Sequence, residues 1–531
     1  MRNKPKQSRK ILAPAVARAG VAPAVVSADG SNVEIYGTLN KRKLGRKFNG
    51  VREFIMSILT GSVFFLATAN SPVHASTEAE LLKILKDKGM LTQPEYEILI
   101  QKLEEERLED RAEKRQTRQK AAITEAKREE EAKKEIKATY KDGITWESGD
   151  KSTSFSVNGR VQLDYRDFGS PDGAFTNTFD IRRARLSAKG KFLKYYSFVV
   201  EGDFGSTTVL TDGYFDIAWW KPATLRFGQF KTPISLEEQT SSRFIDFLER
   251  SFVNNFNLTP SRERGAMVHG EPVMGLTYGL SVTTGQGQNN NETSATADGV
   301  DVDGRVTANI AEFIGQKSAV YHVGGSFSRG DQPATLTPAS QRTEARGVTF
   351  FVPSAFSGTG DVERTRYGIE GAFALGPVKL QGEYANANFD GTSAGSVGFD
   401  RDINAYYASV LWLVTGENYA DSYKGGKFDR IRPKVSFAPG SGGFGAWEIG
   451  ARYSKFDASD FRSTNPVGTG VLPAGFSNQA KAWTVGLKWI VNPNTRFLVN
   501  YIKTDFYQPF TSNGIVVNDE KAITLRAQID F

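Results

Sequence analysis

Four closely spaced basic residues in the segment FDIRRARLSAKG carry the clearest chemistry in this sequence of 531 residues. The positions of Arg183, Arg185 and Lys189 differ by two and by four. Because side chains alternate along a β-strand, these three share one face of it. The planar guanidinium group suits the oxygens of phosphate, and the lysine ammonium acts as a point charge. A series of such contacts lets an anion exchange its water for donors and hop between sites. The pattern therefore fits either a path for oxyanions or the ordinary polarity of a barrel interior, in which each arginine has a compensating carboxylate. Arg182, of opposite parity, is expected near a rim or where the chain bends inward.

A second basic group lies in residues 231–264, after the fifth predicted strand. This segment is too long for a simple hairpin loop, and the spacing of Phe244, Phe247 and Leu248 is helical. We expect it to fold inward and to narrow any channel that the strands enclose. Its candidate anion-binding residues are Lys231, Arg243, Arg250, Arg262 and Arg264.

Arg226 and Asp216 complete the candidate binding set. An acid beside basic residues could loosen a bound anion for release, or it could fix an arginine by ion pairing, and both readings of Asp216 stay open. Residues 415–434 form another long basic segment at a place where a short turn is expected. Arg526, by contrast, lies on a predicted strand with no inward segment expected beside it.

Residues for the commoner catalytic and metal sites are scarce. Cysteine is absent, which excludes disulfides, thiolate metal sites and cysteine nucleophiles. His74 lies in the N-terminal leader, so only His269 and His322 remain for the rest of the chain. Neither has a pattern of serine or carboxylate residues around it, as a zinc site or a Ser-His-Asp triad would need. We therefore predict no catalytic residues, no metal site and no cofactor.

Charge is divided unevenly along the chain, which has 67 Lys and Arg, 60 Asp and Glu, and a net charge of +7. Residues 1–75 hold 12 basic and 3 acidic residues, so the remainder has a net charge of −2. A basic nucleic-acid-binding body is thereby excluded. Residues 141–531 contain 40 basic and 41 acidic residues. Any preference for anions must therefore come from local segregation of charge.

The leader, residues 1–75, has the features of a signal peptide. The apolar run at 54–69 follows the basic stretch KRKLGRK and precedes the small-residue site Val73-His74-Ala75. The run is shorter than the roughly 20 residues that a membrane-spanning helix needs. We expect the mature protein to begin at Ser76.

Residues 76–140 have helical spacing and, from Leu103 to Lys137, consist almost entirely of Glu, Lys, Arg, Ala and Gln. The apolar stripe is thin, so a charged helical spacer and a self-associating coiled coil both fit. Contact with peptidoglycan is one role considered for this periplasmic segment.

Beyond residue 143 the period of the sequence changes from helical to two. Near 155–166, 179–190 and 520–531, apolar residues alternate with charged and amide residues. Such ten-residue segments are typical of a transmembrane β-barrel, although a soluble sandwich alternates as well. About sixteen segments can be counted, with mostly short joins after even-numbered segments and longer joins after odd-numbered ones. The predicted fold class is all-β, a sixteen-stranded antiparallel transmembrane β-barrel over 141–531, preceded by the helical or coiled-coil segment.

Several segments resemble the phosphate-selective porin O/P family in order and spacing. They are FDIRRARLSAKG, DGYFDIAWWKP, LRFGQFKTPISLEEQTSS, AYYASVLWLVTGENY and GAWEIGARYSKFD, and the resemblance covers about 145–531. It implies a homotrimeric, sixteen-stranded channel for anions in the bacterial outer membrane, in contact with its lipid. It also implies that 231–264, 329–362 and 415–434 fold into the lumen, and that Arg182 belongs to the family's basic cluster.

The predicted function is passive diffusion of anions, phosphate or polyphosphate, through a basic constriction. Two alternatives remain open: a general porin without anion preference, and a mainly structural barrel with a peptidoglycan-contacting helix. The reversal potential in a salt gradient distinguishes a general porin from an anion channel. Negligible conductance would indicate a structural barrel. The scarcity of catalytic residues disfavours an enzyme.

Overall fold

The computed structural model describes residues 74–531, apart from 141, 171–172, 221, 255–259, 291–298 and 441. The predicted leader, residues 1–75, therefore lies outside the described residues except for its last two positions, 74 and 75. The chain divides into two compact units, with the boundary after Thr117. Within the described ranges, no helix combines the length and apolarity needed to cross a bilayer.

Two helices, α1 (His74–Asp87) and α2 (Gln93–Lys134), precede the strands. The backbone N–H of Thr92 donates to the Glu95 carboxylate (2.9 Å), which is one half of a capping box at the start of α2. Leu108, one of the few apolar residues of α2, is exposed. Its exposure fits either a solvated spacer or an unpaired coiled-coil helix, so the choice between them stays a prediction.

A small hairpin follows α2, with β1 (Ile136–Tyr140) antiparallel to β2 (Ile144–Ser148). From sequence, residues 136–140 are predicted to belong to the helical segment, but in the structure they are extended. The sequence IKATY contains β-branched and aromatic residues, which favour a pleated strand once a partner strand is present.

Sixteen strands, each antiparallel to its neighbours, form a closed barrel within the described residues. The first nine are β3 (Ser154–Ser170), β4 (Thr178–Phe192), β5 (Tyr196–Asp203), β6 (Val209–Trp220), β7 (Ala223–Lys231), β8 (Arg262–Val273), β9 (Leu276–Thr283), β10 (Asp301–Asn309) and β11 (Ala319–Gln332). After a separate pair, β12 (Gln341–Arg342) and β13 (Thr349–Phe351), come β14 (Val362–Leu375), β15 (Val378–Thr392), β16 (Gly398–Leu413), β17 (Ala446–Asp457), β18 (Gln479–Asn492), β19 (Thr495–Ser512) and β20 (Ile515–Asp530). Pairing of β20 with β3 closes the barrel, and the predicted sixteen-stranded antiparallel fold is confirmed.

Strand β3 has two partners along one of its edges. Residues 160–170 pair with β20, whereas residues 154–157 pair with β2 of the small hairpin. Between these two stretches, Gly159 exchanges backbone hydrogen bonds with Phe531 (2.7 and 3.0 Å). The hairpin therefore continues the sheet where the pairing with β20 ends.

The alternating residues divide between the two faces of the barrel wall. On β20, Ile523 and Leu525 are 47% and 38% exposed, whereas Arg526 and Gln528 are 2% and 4% exposed. The apolar side chains point outward and the polar side chains line the interior. This is the arrangement of a membrane barrel and the reverse of a soluble sandwich.

The joins at the two ends of the barrel differ in length, as in outer-membrane barrels. At one end they are mostly short, for example 193–195 and 376–377. At the other end lie long connections, including the third loop (232–261) and the fifth loop (333–361). The exception at the short-turn end is the inward turn (414–445).

An apolar cluster occupies part of the barrel interior. Phenylalanines from the third, fifth and seventh (458–478) loops pack against the inner wall of β15–β20. The loops contribute Phe252, Phe350, Phe351, Phe356 and Phe461, and the wall strands contribute Phe389, Phe399 and Phe456. The rings of Phe356 and Phe399 stack with their centroids 4.5 Å apart. This cluster fills part of the lumen along β15–β20.

Candidate functional site

A cavity of about 840 Å³ lies along the inner wall of β3–β10. The third loop, the inward turn and the tip of the β1–β2 hairpin complete its lining. Six carboxylates line it, against fourteen cations: Arg160, Arg183, Arg185, Lys189, Arg226, Lys231, Arg243, Arg250, Arg262, Arg305, Lys424, Lys427, Arg430 and Arg432. Positive charge is therefore concentrated here, although residues 141–531 are nearly balanced.

Two adjacent arginines of β4 both face the interior because this strand carries a β-bulge. The pairing with β3 skips Arg182 between Arg183 and Ile181. Arg182 Nε donates to Glu249 of the third loop (2.6 Å), and Arg183 Nη1 donates to Gln162 (2.9 Å). The predicted inward bend at Arg182 is present. Arg182 anchors the loop, whereas Arg183 lines the cavity.

The inner wall formed by β3, β4 and β5 has excess positive charge, because two of its arginines share one carboxylate. Glu201 on β5 lies 3.0 Å from Arg185 Nη1 and 3.3 Å from Arg160 Nη2. Asp203 accepts a hydrogen bond from Arg185 Nε (2.7 Å). Lys189, four residues nearer the short-turn end, has no carboxylate within 4 Å in the part of the chain that the structure describes.

The third loop is tied to the opposite wall at its short helix, α3 (Leu236–Gln239). The Glu383 carboxylate on β15 accepts hydrogen bonds from Ser235 Oγ (2.6 Å), Leu236 N (3.1 Å) and Glu237 N (2.7 Å). Ser235 holds a left-handed φ of 62°, which costs free energy for a residue other than glycine. The buried Glu383 side chain therefore accepts the hydrogen bonds of the donors at the start of α3 and holds the third loop across the lumen.

Strands β3 and β20 also hold the third loop. Gln162 Nε2 donates to the Ser242 carbonyl (3.0 Å), and Arg526 Nη1 donates to the Leu248 carbonyl (2.6 Å). The prediction that Arg526 has no inward segment beside it is wrong. Barrel closure places β20 next to β3, on the wall that the loop reaches.

Arg243 in the third loop is a cation without a carboxylate partner. Its Nη2 donates to Asn158 Oδ1 on β3 (2.7 Å). No carboxylate lies within 4 Å of it among the described residues. Burial lowers the pKa of its guanidinium, and the charges of Asp530 and Glu201 partly offset this. Among the described residues, the guanidinium hydrogen bond shown for Arg243 goes to a neutral amide, so its charge remains available to an anion.

The other predicted cations around the third loop are ion-paired. Glu238 lies 3.4 Å from Lys231 and 3.2 Å from Arg250. Burial raises the pKa of Glu238, but the charges of Arg250 and Lys231 outweigh this effect and bring the pKa to about 2. Arg262 makes a bidentate pair with Asp212 (2.8 and 3.2 Å). These three cations line the cavity but add less net charge to it.

The remaining predicted residues have protein partners. Arg226 makes a bidentate pair with Asp216 (2.7 and 2.9 Å) and stacks on Tyr214 at 3.9 Å. Arg226 lines the cavity and Asp216 does not, which favours the ion-pairing reading of Asp216. Arg264 Nη1 donates to the Asn290 carbonyl (2.9 Å) and lies outside the lining.

The inward turn supplies cations that the candidate set omits. The Tyr423 hydroxyl bonds to His322 Nδ1 on β11 (2.6 Å), which fixes the turn to the wall. The chain reverses at Gly426, where φ is 72° and an added Cβ would lie 2.6 Å from a threonine hydroxyl of β9. Lys424 and Lys427, on either side of this reversal, line the cavity without a carboxylate within 4 Å in the described ranges.

Arg160 and Arg305 also line the cavity and are absent from the candidate set. Each has inward parity on its strand, and that parity is the signal that could have identified it. Arg305 Nη2 lies 2.5 Å from Glu370, whose carboxylate also bonds to His322 Nε2 (2.9 Å). Within the described residues, no cluster of side chains suits a metal ion.

The lining cations are spread along the barrel axis. Lys231 and Arg262 lie at the long-loop ends of β7 and β8. Lys189 and Arg226 lie three residues from the short-turn ends of β4 and β7. An ion moving between the two ends would thus meet donors in succession, an arrangement that permits hopping.

Comparisons with known proteins give one family and several distant relatives. The family model described as phosphate-selective porin O and P matches residues 155–531. Porin O from Pseudomonas aeruginosa is 26% identical over 411 residues, covering 70% of this chain and 88% of that protein. An uncharacterized protein from Caulobacter vibrioides is 25% identical over 387 residues, covering 69% and 71%. An anion-selective porin from Comamonas acidovorans aligns with a TM-score of 0.45 and 14% identity, over 71% of this chain and 100% of that one.

Proposed function

The chain belongs to the phosphate-selective porin O and P family, and on that premise we propose that it is a channel for passive diffusion of anions, with phosphate or polyphosphate as the preferred substrate. It is a β-barrel porin of the bacterial outer membrane. Its short turns would face the periplasm and its long loops the exterior, with lipid against the apolar outer face. The working unit proposed is a homotrimer.

The observation that carries the proposal is the segregation of charge inside the barrel. Fourteen cations and six carboxylates line the cavity. Residues 141–531 as a whole contain 40 basic and 41 acidic residues. Lys189, Arg243, Lys424 and Lys427 add charges that no carboxylate cancels within 4 Å in the described part of the chain. An anion entering this space would be attracted along its length.

The paired cations account for release as well as capture. A bare row of arginines would hold a divalent oxyanion too tightly for conduction, because binding must be weak enough for the ion to leave. Glu201 shares its charge between Arg160 and Arg185, and Glu238 does so between Lys231 and Arg250. These carboxylates moderate the attraction while the planar guanidinium groups still match phosphate oxygens.

The first prediction concerns selectivity. In a planar bilayer with a potassium chloride gradient, the reversal potential should have the sign of an anion-selective pore, and added phosphate should reduce the chloride current. The reason is the local excess of cations around the cavity. A reversal potential near zero would favour a general porin, and negligible conductance would favour a structural barrel.

The second prediction concerns assembly. Purified protein in detergent should give a β-rich circular-dichroism spectrum and migrate as a trimer that dissociates only on heating. Closure of β20 onto β3 leaves the barrel without an open edge, so detergent alone should not unfold it. A helix-dominated spectrum, or a monomer soluble without detergent, would contradict this.

The charged helices before the barrel have a separate proposed role. We propose that the helical part of the predicted 76–140 segment, residues 76–134, extends into the periplasm as a spacer or coiled coil, with peptidoglycan as a candidate contact. Their exposed, highly charged sequence supports a solvated location.

A further inference from the structure

The tip of the β1–β2 hairpin lies against the inner wall of the barrel. Asp142 and Gly143 form the tip, with φ values of 59° and 123°. An added Cβ at Gly143 would lie 2.5 Å from the Val157 carbonyl and 2.7 Å from Asn158 Cβ. Only glycine therefore allows this close approach to β3, and the approach brings Asp142 into the cavity lining.

The Asp142 carboxylate bridges two arginines of the inward turn. Its Oδ1 lies 3.1 Å from Arg430 Nε, and its Oδ2 lies 3.0 Å from Arg432 Nη2. All three side chains line the cavity. A segment that precedes the barrel strands thus places a negative charge beside the basic path.

The two arginines depend on Asp142 to different degrees. Arg430 is buried, also pairs with Asp530, and donates to the Pro493 carbonyl. Arg432 is 49% exposed, and Asp142 is its one carboxylate partner within 4 Å among the described residues. Removal of Asp142 would therefore leave Arg430 fixed in place and Arg432 with an uncancelled charge.

We infer that Asp142 is a specificity-determining residue of the channel, which competes with the permeating oxyanion for Arg432 and Arg430. The inference rests on the proposed anion conduction and assigns a part of it to the hairpin. A carboxylate and a phosphate both bind a guanidinium through paired oxygens, so the two exclude each other at the same N–H groups. Asp142 is 36% exposed, which lets it separate from Arg432 as an anion arrives and return as the anion leaves. It thereby weakens anion binding at the short-turn mouth and speeds release there.

The test is Asp142→Asn, measured as phosphate block of the chloride current through the full-length channel in a planar bilayer. Asparagine removes the charge and tolerates the left-handed φ at this position. The half-blocking phosphate concentration should fall by roughly twofold to fivefold, the size expected of one partly exposed ion pair. Asp150→Asn is the matched control. Asp150 lies in the β2–β3 turn, accepts hydrogen bonds from Ser148 and Ser152, and is outside the lining.

A double variant makes the assignment specific. In an Arg432→Gln background, Asp142→Asn should have a much smaller effect, because the charge that Asp142 cancels is gone. Equal block by phosphate in wild type and Asp142→Asn, or an undiminished effect in the Arg432→Gln background, would overturn the inference. Absence of anion selectivity in the wild type would instead overturn the proposed function, so the two failures are distinguishable.

Discussion

Replacing Arg243 by alanine should weaken phosphate block of the chloride current by about tenfold or more, with the pore still open. Arg243 reaches the wall through a neutral amide, Asn158, and no carboxylate lies within 4 Å of it in the described residues. A hydrogen bond to a charged group contributes about 1.5–3 kcal/mol, and each 1.4 kcal/mol is about tenfold in affinity. The measurement is a phosphate titration of chloride conductance in a planar bilayer.

The matched control is Arg264→Ala, which removes the same charge outside the cavity lining. It should change the phosphate block little. Arg526 is unsuitable as a control, because its side chain bonds to the Leu248 carbonyl and to Glu249 in the third loop. Equal effects of Arg243→Ala and Arg264→Ala would mean that the lining is ordinary barrel polarity, and a general porin would be the better description.

Replacing Glu383 by alanine should widen the pore, raising single-channel conductance several-fold and lowering anion selectivity. Glu383 is the acceptor for three donors at the start of α3. Each buried donor left without a partner costs about 1–3 kcal/mol, and the strained φ of Ser235 would lose its support. The third loop should therefore leave the wall. Conductance, reversal potential and thermal unfolding should be measured on the same preparation.

Glu363→Ala serves as the control for this variant. Glu363 lies on the adjacent strand β14 and makes an exposed ion pair with Arg329 (2.6 Å), which contributes little to stability. Both substitutions remove a glutamate from the barrel wall, but Glu363→Ala should leave the third loop in place. Unchanged conductance in Glu383→Ala, with the barrel intact, would show that the other loop contacts suffice to hold the constriction.

The sixteen strands could be predicted because their signal is local. Alternation of apolar and polar residues needs no knowledge of the partner strand, and it gives both the strand and the face that points inward. The exact bounds of the strands were harder to predict: β3 extends to Ser170, beyond the predicted end near 166. There the alternation fades beyond the lipid-facing zone while backbone pairing continues. Residues 136–140 form a strand because β2 pairs with them. The helix-forming residues that precede them along the chain gave no sign of this pairing.

The candidate site was only partly accessible from sequence, because its charges depend on partners far along the chain. Parity identifies Arg183 and Arg185 as inward-facing, but it does not reveal that Glu201 neutralises part of the charge of Arg185. The anchoring of the third loop by Glu383 joins residues more than a hundred positions apart. The bulge at Arg182 is the instructive case: its parity conflicted with that of its neighbours, and the conflict marked the irregularity correctly.

Pairing of β3 with both β20 and the small hairpin has a consequence for how the barrel is sized. If β20 slid along β3 by two residues toward the hairpin, Phe531 would reach the positions that β2 already occupies opposite 154–157. In the present register the Phe531 ring packs directly on Gly159, where an added Cβ would lie 2.6 Å from the ring. The hairpin thus prevents β20 from sliding along β3 at the place where the barrel closes. Because strand stagger and strand number together set a barrel's diameter, five residues of β2 help to fix the bore within which every permeating ion must fit.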